Sequence, residues 1–158
     1  MIVRPLFPED LPKIARIELQ VMPSPWSEAQ MREEIEAANG FALAALCTDT
    51  LCGYAFFRTC FPESELLHLV VAPEWRRRKA ATALLAQAMT KLAGQRYTVC
   101  FLEVRASNIM ARQLYARVGF VQTGIRKHYY SQPVEDALLL TKGIAPEQEE
   151  YDEDAAGY

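Results

Sequence analysis

Three groups of residues combine side-chain type and spacing in ways that suit chemistry. In the run YTVCFLEVRA, period-two alternation puts Tyr97, Val99, Phe101, Glu103 and Arg105 on one face of a strand. A carboxylate that follows apolar neighbours loses part of its hydration, which raises its pKa toward that of a working base. The plainer alternative is a structural ion pair with Arg105, two residues along on the same face. In SNIMARQLYARVGF, Asn108 and Tyr115 are separated by nearly two helical turns and so share about one face. A tyrosine hydroxyl there suits proton donation to a leaving group; a core tyrosine with its hydroxyl satisfied by backbone is the alternative. The third group is PEWRRRKAATALL, where a strand gives way to a helix and Arg76, Arg77, Arg78 and Lys79 gather at the helix start. Free amides and the helix dipole favour anions at such a place, so a diphosphate is a natural guest, and a solvated basic turn is the bland counterpart.

Composition narrows the classes of function. The chain has 158 residues, 51% hydrophobic and 23% charged, an ordinary balance for one globular domain. No apolar run is long enough to cross a bilayer, and the first twenty residues lack the apolar stretch of a secretory signal, which points to the cytoplasm and to no membrane partner. The four cysteines (Cys47, Cys52, Cys60, Cys100) form no C-x-x-C pair, and two histidines supply no zinc-ligand spacing, so no metal is expected. Cys47, Cys52 and Cys100 sit in apolar strand-like runs and read as small buried hydrophobes. The basic turn is short and lacks interleaved aromatics, which disfavours nucleic acid. Six of the 20 acidic residues follow Pro146, so a domain over 1–145 carries +3 and an acidic tail over 146–158 carries −6. That tail reads as solvated and mobile.

The elements that must position these groups follow from periodicity and punctuation. Residues 1–5 suggest a strand. Pro8-Glu9-Asp10 opens a helix with Leu11, Ile14, Ile17 and Val21 at helical spacing, and MPSPW (22–26) breaks it. Ser27 caps a second helix reaching about Ala38. Three strand-like runs follow, FALAALC, LCGYAFFRTCF and ELLHLVV, the first two joined as a hairpin. A helix over roughly 77–93 has Ala81, Leu84, Leu85, Ala88 and Leu92 on one face, with Gly94 at its end. After the strand carrying Glu103, Asn108 caps a helix that Gly119 stops, and strands at about 120–130 and 134–142 close the pattern. The order β-α-α-β-β-β-α-β-α-β-β is that of a mixed α/β single domain.

Taken together, the basic strand-to-helix turn, LEVRASN and LYARVGF closely resemble the GNAT acetyltransferase superfamily. Within it they resemble the RimI type, which acetylates the N-terminal alanine of a small-subunit ribosomal protein. The resemblance runs from Ile2 to about Ile144, and PSPWS (23–27), RKHYYS (126–131) and EDALLL (135–140) agree with it. It implies a central mixed sheet of seven strands flanked by about four helices, acetyl-CoA as co-substrate, and a monomer acting on a protein N-terminus by direct transfer in a ternary complex. It makes Glu103 the general base and Tyr115 the general acid that protonates the departing thiolate. Asn108 would contact the cofactor, and the backbone of Leu69, Val70 and Val71 would hold the pantetheine arm and polarise the thioester. Arg77, Arg78, Lys79, Ala80, Ala81 and Thr82 would cradle the diphosphate, while Trp26, Ser27, Tyr129 and Tyr130 would wall the peptide site.

One position departs from the family turn: Lys79 stands where glycine is usual. If the backbone there needs positive φ, a Cβ costs on the order of 1–2 kcal/mol, which a lysine ammonium on a phosphate oxygen would offset. Acetylation of lysine side chains or a small amine, and a peptide-docking module without catalysis, are the competing readings. A covalent route through Cys100 is disfavoured because alternation places it opposite Glu103.

Overall fold

The computed structural model describes residues 1–146. Apart from Pro146, the tail expected to be mobile lies outside the described residues. The chain runs β1 (Ile2–Pro5), α1 (Leu11–Val21), α2 (Glu28–Glu36), β2 (Gly40–Cys47), β3 (Thr50–Cys60), β4 (Glu63–Val71), α3 (Ala80–Gly94), β5 (Val99–Arg105), α4 (Ile109–Arg117), β6 (Val121–Ser131) and β7 (Val134–Gly143). The seven strands form one sheet in the order β1-β2-β3-β4-β5-β7-β6. Only β4 and β5 pair in parallel; the other neighbours are antiparallel. This is the mixed seven-stranded, four-helix architecture the sequence implies.

Each face of the sheet has its own apolar layer. Leu11 and Ile14 of α1 and Met31 of α2 pack with Tyr54, Phe56 and Val70 on one side. Leu84, Leu85, Ala88 and Leu92 of α3 and Tyr115 of α4 pack with Leu102 and Leu140 on the other. The buried member at the start of α3 is Ala80, with Ala81 only half-buried, so the expected stripe is corrected by one residue.

Local chemistry accounts for the element ends. The Ser27 hydroxyl accepts from the Gln30 amide at 3.1 Å, and the Gln30 side chain accepts from the Ser27 amide at 2.8 Å, a reciprocal cap for α2. The third helix begins at Ala80 rather than 77, because Arg77 (φ 60°) and Lys79 (φ 65°) are left-handed and cannot lie within it. It stops at Gly94, and the left-handed residue that then turns the chain is Arg96. Asn108 Oδ1 accepts from the Ala111 amide at 3.1 Å, and Gly119 (φ 97°) follows the end of α4, both as expected.

The feature that matters for function lies mid-sheet. Parallel pairing of β4 with β5 covers Glu63↔Val99, Ser64↔Cys100 and Glu65↔Phe101 and goes no further. Yet β4 continues to Val71, paired on its other edge with β3, and β5 continues to Arg105, paired with β7. Between them the sheet opens into a wedge whose β4 edge is bared backbone over residues 67–71.

Candidate active site

Glu103 sits on the β5 margin of this wedge. Burial along β5 alternates, with Cys100, Leu102 and Val104 buried and Val99, Phe101, Glu103 and Arg105 half-buried on the opposite face, as alternation predicts. The expected ion pair with Arg105 is absent. Arg105 instead reaches Glu135 at 3.4 Å and lies 4.2 Å over the Tyr130 ring. Glu103, whose side chain is 16% exposed, forms an ion pair with Arg126 instead, Oε1 lying 2.9 Å from Nε. The rings of Tyr129 and Tyr130 meet edge to face at 5.1 Å beside it. A hydrogen bond with Glu103 and its charge hold the Tyr129 phenol above its ordinary pKa; burial and then Glu103 do the same for Tyr130.

A second carboxylate escaped the sequence reading. Glu65 is the last β4 residue paired with β5, at the apex of the wedge and on the Glu103 face. Burial and then the Glu103 charge push its carboxyl above the usual range, against Arg58 and Arg126. The signal was present in ELLHLVV, where alternation puts Glu65 in step with Leu67, on the face opposite Leu66.

Tyr115 approaches from the other side. It projects from α4 into the apolar layer containing Cys100 and Leu102, 8% exposed, with its ring edge-on to Phe120 at 5.7 Å. Burial raises its phenol well above the ordinary value, so it stays protonated throughout the working pH range. Glu103 and Tyr115 therefore lie on opposite faces of the sheet. Cys100 is fully buried on the Tyr115 face and burial pushes its thiol up to about 11, which leaves it too protonated to act as a nucleophile.

The bared edge of β4 carries Leu69, Val70 and Val71, with Leu69 and Val71 half-buried. At its end, Arg76 Nε donates to the Val71 carbonyl at 3.4 Å, and Arg78 lies 4.9 Å over the Trp75 ring. Arg77, Arg78, Lys79 and Thr82 are exposed at the α3 N-terminus, whereas Ala80 turns its side chain into the core and presents only backbone there. Lys79 does hold the left-handed conformation that makes glycine usual at its position. An extended amide-bearing arm fits the bared strand edge, and a diphosphate fits the cationic turn.

The expected peptide-wall residues divide into two groups. Tyr129 and Tyr130 gather at Glu103. Trp26 packs over β3 and β4, stacked on His68 at 4.4 Å and tilted against Phe56 at 5.5 Å. The Ser27 hydroxyl is committed to capping α2. Asn108, on the solvent side of α4, likewise uses its carbonyl oxygen as a cap.

A sheet parted between two parallel strands, with a carboxylate on one side, a phenol on the other and a cationic helix start at its end, defines an acyl-CoA-type N-acyltransferase. The chain belongs to the acetyltransferase (GNAT) family, whose profile matches residues 11–120. It is 30% identical over 138 residues to the [ribosomal protein bS18]-alanine N-acetyltransferase of Salmonella typhimurium, covering 86% of this chain and 93% of that one. The crystal structure of the ribosomal-protein-S18-alanine N-acetyltransferase from Escherichia coli superposes with a TM-score of 0.85 at 27% identity, covering 94% of this chain and 97% of the other. Arabidopsis thaliana NAA60, solved in complex with acetyl-CoA, shares the fold at a TM-score of 0.83 and 19% identity, covering 90% and 98%.

Proposed function

We propose that this N-acetyltransferase moves the acetyl group of acetyl-CoA to the N-terminal α-amine of a protein, an alanine that begins a small-subunit ribosomal protein. It does so by direct attack in a ternary complex, as a cytoplasmic monomer. The observation that carries the reading is the parted sheet with Glu103 on one face and Tyr115 on the other.

The chemistry follows from that placement. An N-terminal amine is mostly protonated at neutral pH (pKa roughly 7.7–8.0), so attack needs a base. Glu103 accepts the ammonium proton, directly or through water, and the freed lone pair forms the C–N bond at the thioester carbonyl. Backbone amides of Leu69 and Val71 on the bared edge stabilise the oxyanion that develops, while Val70 between them is held to β3. The C–S bond then breaks toward the opposite face, where the Tyr115 hydroxyl gives its proton to the thiolate. Arg77, Arg78 and Lys79, with the amides of Ala80, Ala81 and Thr82, hold the diphosphate. The Asn108 side-chain amide NH2 remains to meet the cofactor while its oxygen caps the helix. Trp26, Ser27, Tyr129 and Tyr130 bound the entry of the peptide.

Mass spectrometry of a peptide set tests this. Acetylation of the α-amine of an alanine-initiated ribosomal peptide is the expected result. Label on lysine side chains or free small amines instead, or no transfer despite bound acetyl-CoA, would replace the reading with its competitors.

A further inference from the structure

Beneath Trp26 lies a buried polar cluster that the catalytic reading does not use. Glu18, on the inward face of α1, has no exposed surface. Its Oε1 accepts from the Trp26 backbone amide at 2.9 Å. His68 Nε2 lies 2.9 Å from Oε1 and 2.8 Å from Oε2, and the Tyr54 hydroxyl donates to Oε2. The cluster thus joins α1, β3, β4 and the α1–α2 loop through one carboxylate.

Burying an ionised carboxylate costs several kcal/mol, and a buried ion cluster is weak grounds for stability. What this one does is geometric. It grips the loop at the Trp26 amide and, through His68, supplies the face on which the indole stacks at 4.4 Å. His68 itself directly precedes Leu69, where the β4 edge meets the wedge, so the peptide wall and the thioester strand share one anchor.

We propose that Glu18 and His68 are positioning residues that hold Trp26 in the wall of the peptide site and so set affinity for the protein N-terminus. The assignment rests on the reading of Trp26 as part of that wall. Tyr54 bonds the same carboxylate at Oε2, whereas the Trp26 amide bonds Oε1, so Tyr54 serves as the internal control.

The test combines kinetics with fluorescence in a Trp75→Phe background, which leaves Trp26 as the sole tryptophan. Glu18→Gln should move Trp26 emission to longer wavelength. It should also raise KM for an alanine-initiated peptide about tenfold, the scale of a lost hydrogen bond to a charged group, with KM for acetyl-CoA changed less than about twofold. If Glu18→Gln does not fold, His68→Gln, which keeps an N–H donor but removes the stacking ring, is read in the same way. Tyr54→Phe should lower Tm while leaving peptide KM in place. Unchanged emission or unchanged peptide KM in a folded variant overturns the assignment, as does a Tyr54→Phe variant with an equal rise in peptide KM. A wild-type chain that acetylates no N-terminal peptide would sink the proposed substrate instead, and Trp26 emission would still decide whether Glu18 holds the loop.

Discussion

At the scale of single residues, the two faces of the wedge make separable demands. Glu103→Gln removes the proposed base but keeps the shape, so kcat should fall by about 10²–10⁴ with acetyl-CoA affinity retained. Rapid-quench rates together with calorimetry check both halves. Two other carboxylates report in opposite senses on stability. Asp10 accepts both Arg4 guanidinium nitrogens, at 2.8 and 2.9 Å, and the Phe7 amide at 2.9 Å, and the Arg4 hydrogen bond chiefly holds its carboxyl below the usual range. A lowered folded pKa gives stability that is present above the unfolded value and lost as pH falls through the folded one. Asp10→Asn should therefore cost about 1–3 kcal/mol at pH 7 and flatten the acid limb of a Tm-against-pH curve. Glu65 is raised, so its penalty is absent in acid and grows as pH climbs through its unfolded value. Glu65→Gln should raise stability at pH 7 by less than about 1 kcal/mol, given its partial exposure, and change little at pH 3.

These residues also show what a linear sequence hides. Alternation sufficed to place Glu103 on the face opposite Cys100. Its partner Arg126 was not legible, because β6 pairs with β7 through an irregularity between Arg126 and Tyr130 that resets which side chains return to the site. Glu18 was hidden for a different reason. Helical spacing from Ile14 and Val21 puts it on the apolar face of α1, but the donors that satisfy a buried carboxylate there converge from β3, β4 and the α1–α2 loop, which no local pattern in α1 announces.

At the scale of elements, β4 carries most of the demands. It must lie close to β3 on one edge while staying bare on the other, and Gly53 permits the approach. A Cβ at Gly53 would fall 2.9 Å from the Val70 carbonyl oxygen and 3.2 Å from Val71 Cγ2. Gly53→Ala should cost about 1–3 kcal/mol in chemical denaturation and weaken acetyl-CoA binding, since the displaced segment is the one that faces the wedge. The start of α3 makes a different compromise. Lys79→Gly relieves left-handed strain but gives up a cation and adds chain entropy in the unfolded state, so these effects nearly cancel in Tm. Its binding should show the loss clearly, as a higher Kd for acetyl-CoA with a shallower dependence on salt. Element order was legible from periodicity and punctuation because apolar stripes and caps are local. The true start of α3 was not, since Arg77 and Lys79 carry no composition that announces positive φ.

At the scale of the whole molecule, the sheet is continuous except at the wedge, and helices cover both faces. Glu103 and Tyr115, the proposed base and acid, lie on opposite faces of the sheet. This partition is a consequence of parallel pairing that ends after three rungs, because strands joined by a crossover can diverge where antiparallel hairpin neighbours are held together. Double-reciprocal plots at several peptide concentrations should intersect, as transfer within one assembled complex requires; parallel lines would indicate a covalent relay. On the proposed mechanism the wedge works as a hatch between two compartments, with separate doors for the two substrates. Neither product then has to back out past the other, and the order in which they leave is set by how tightly each is held on its own side.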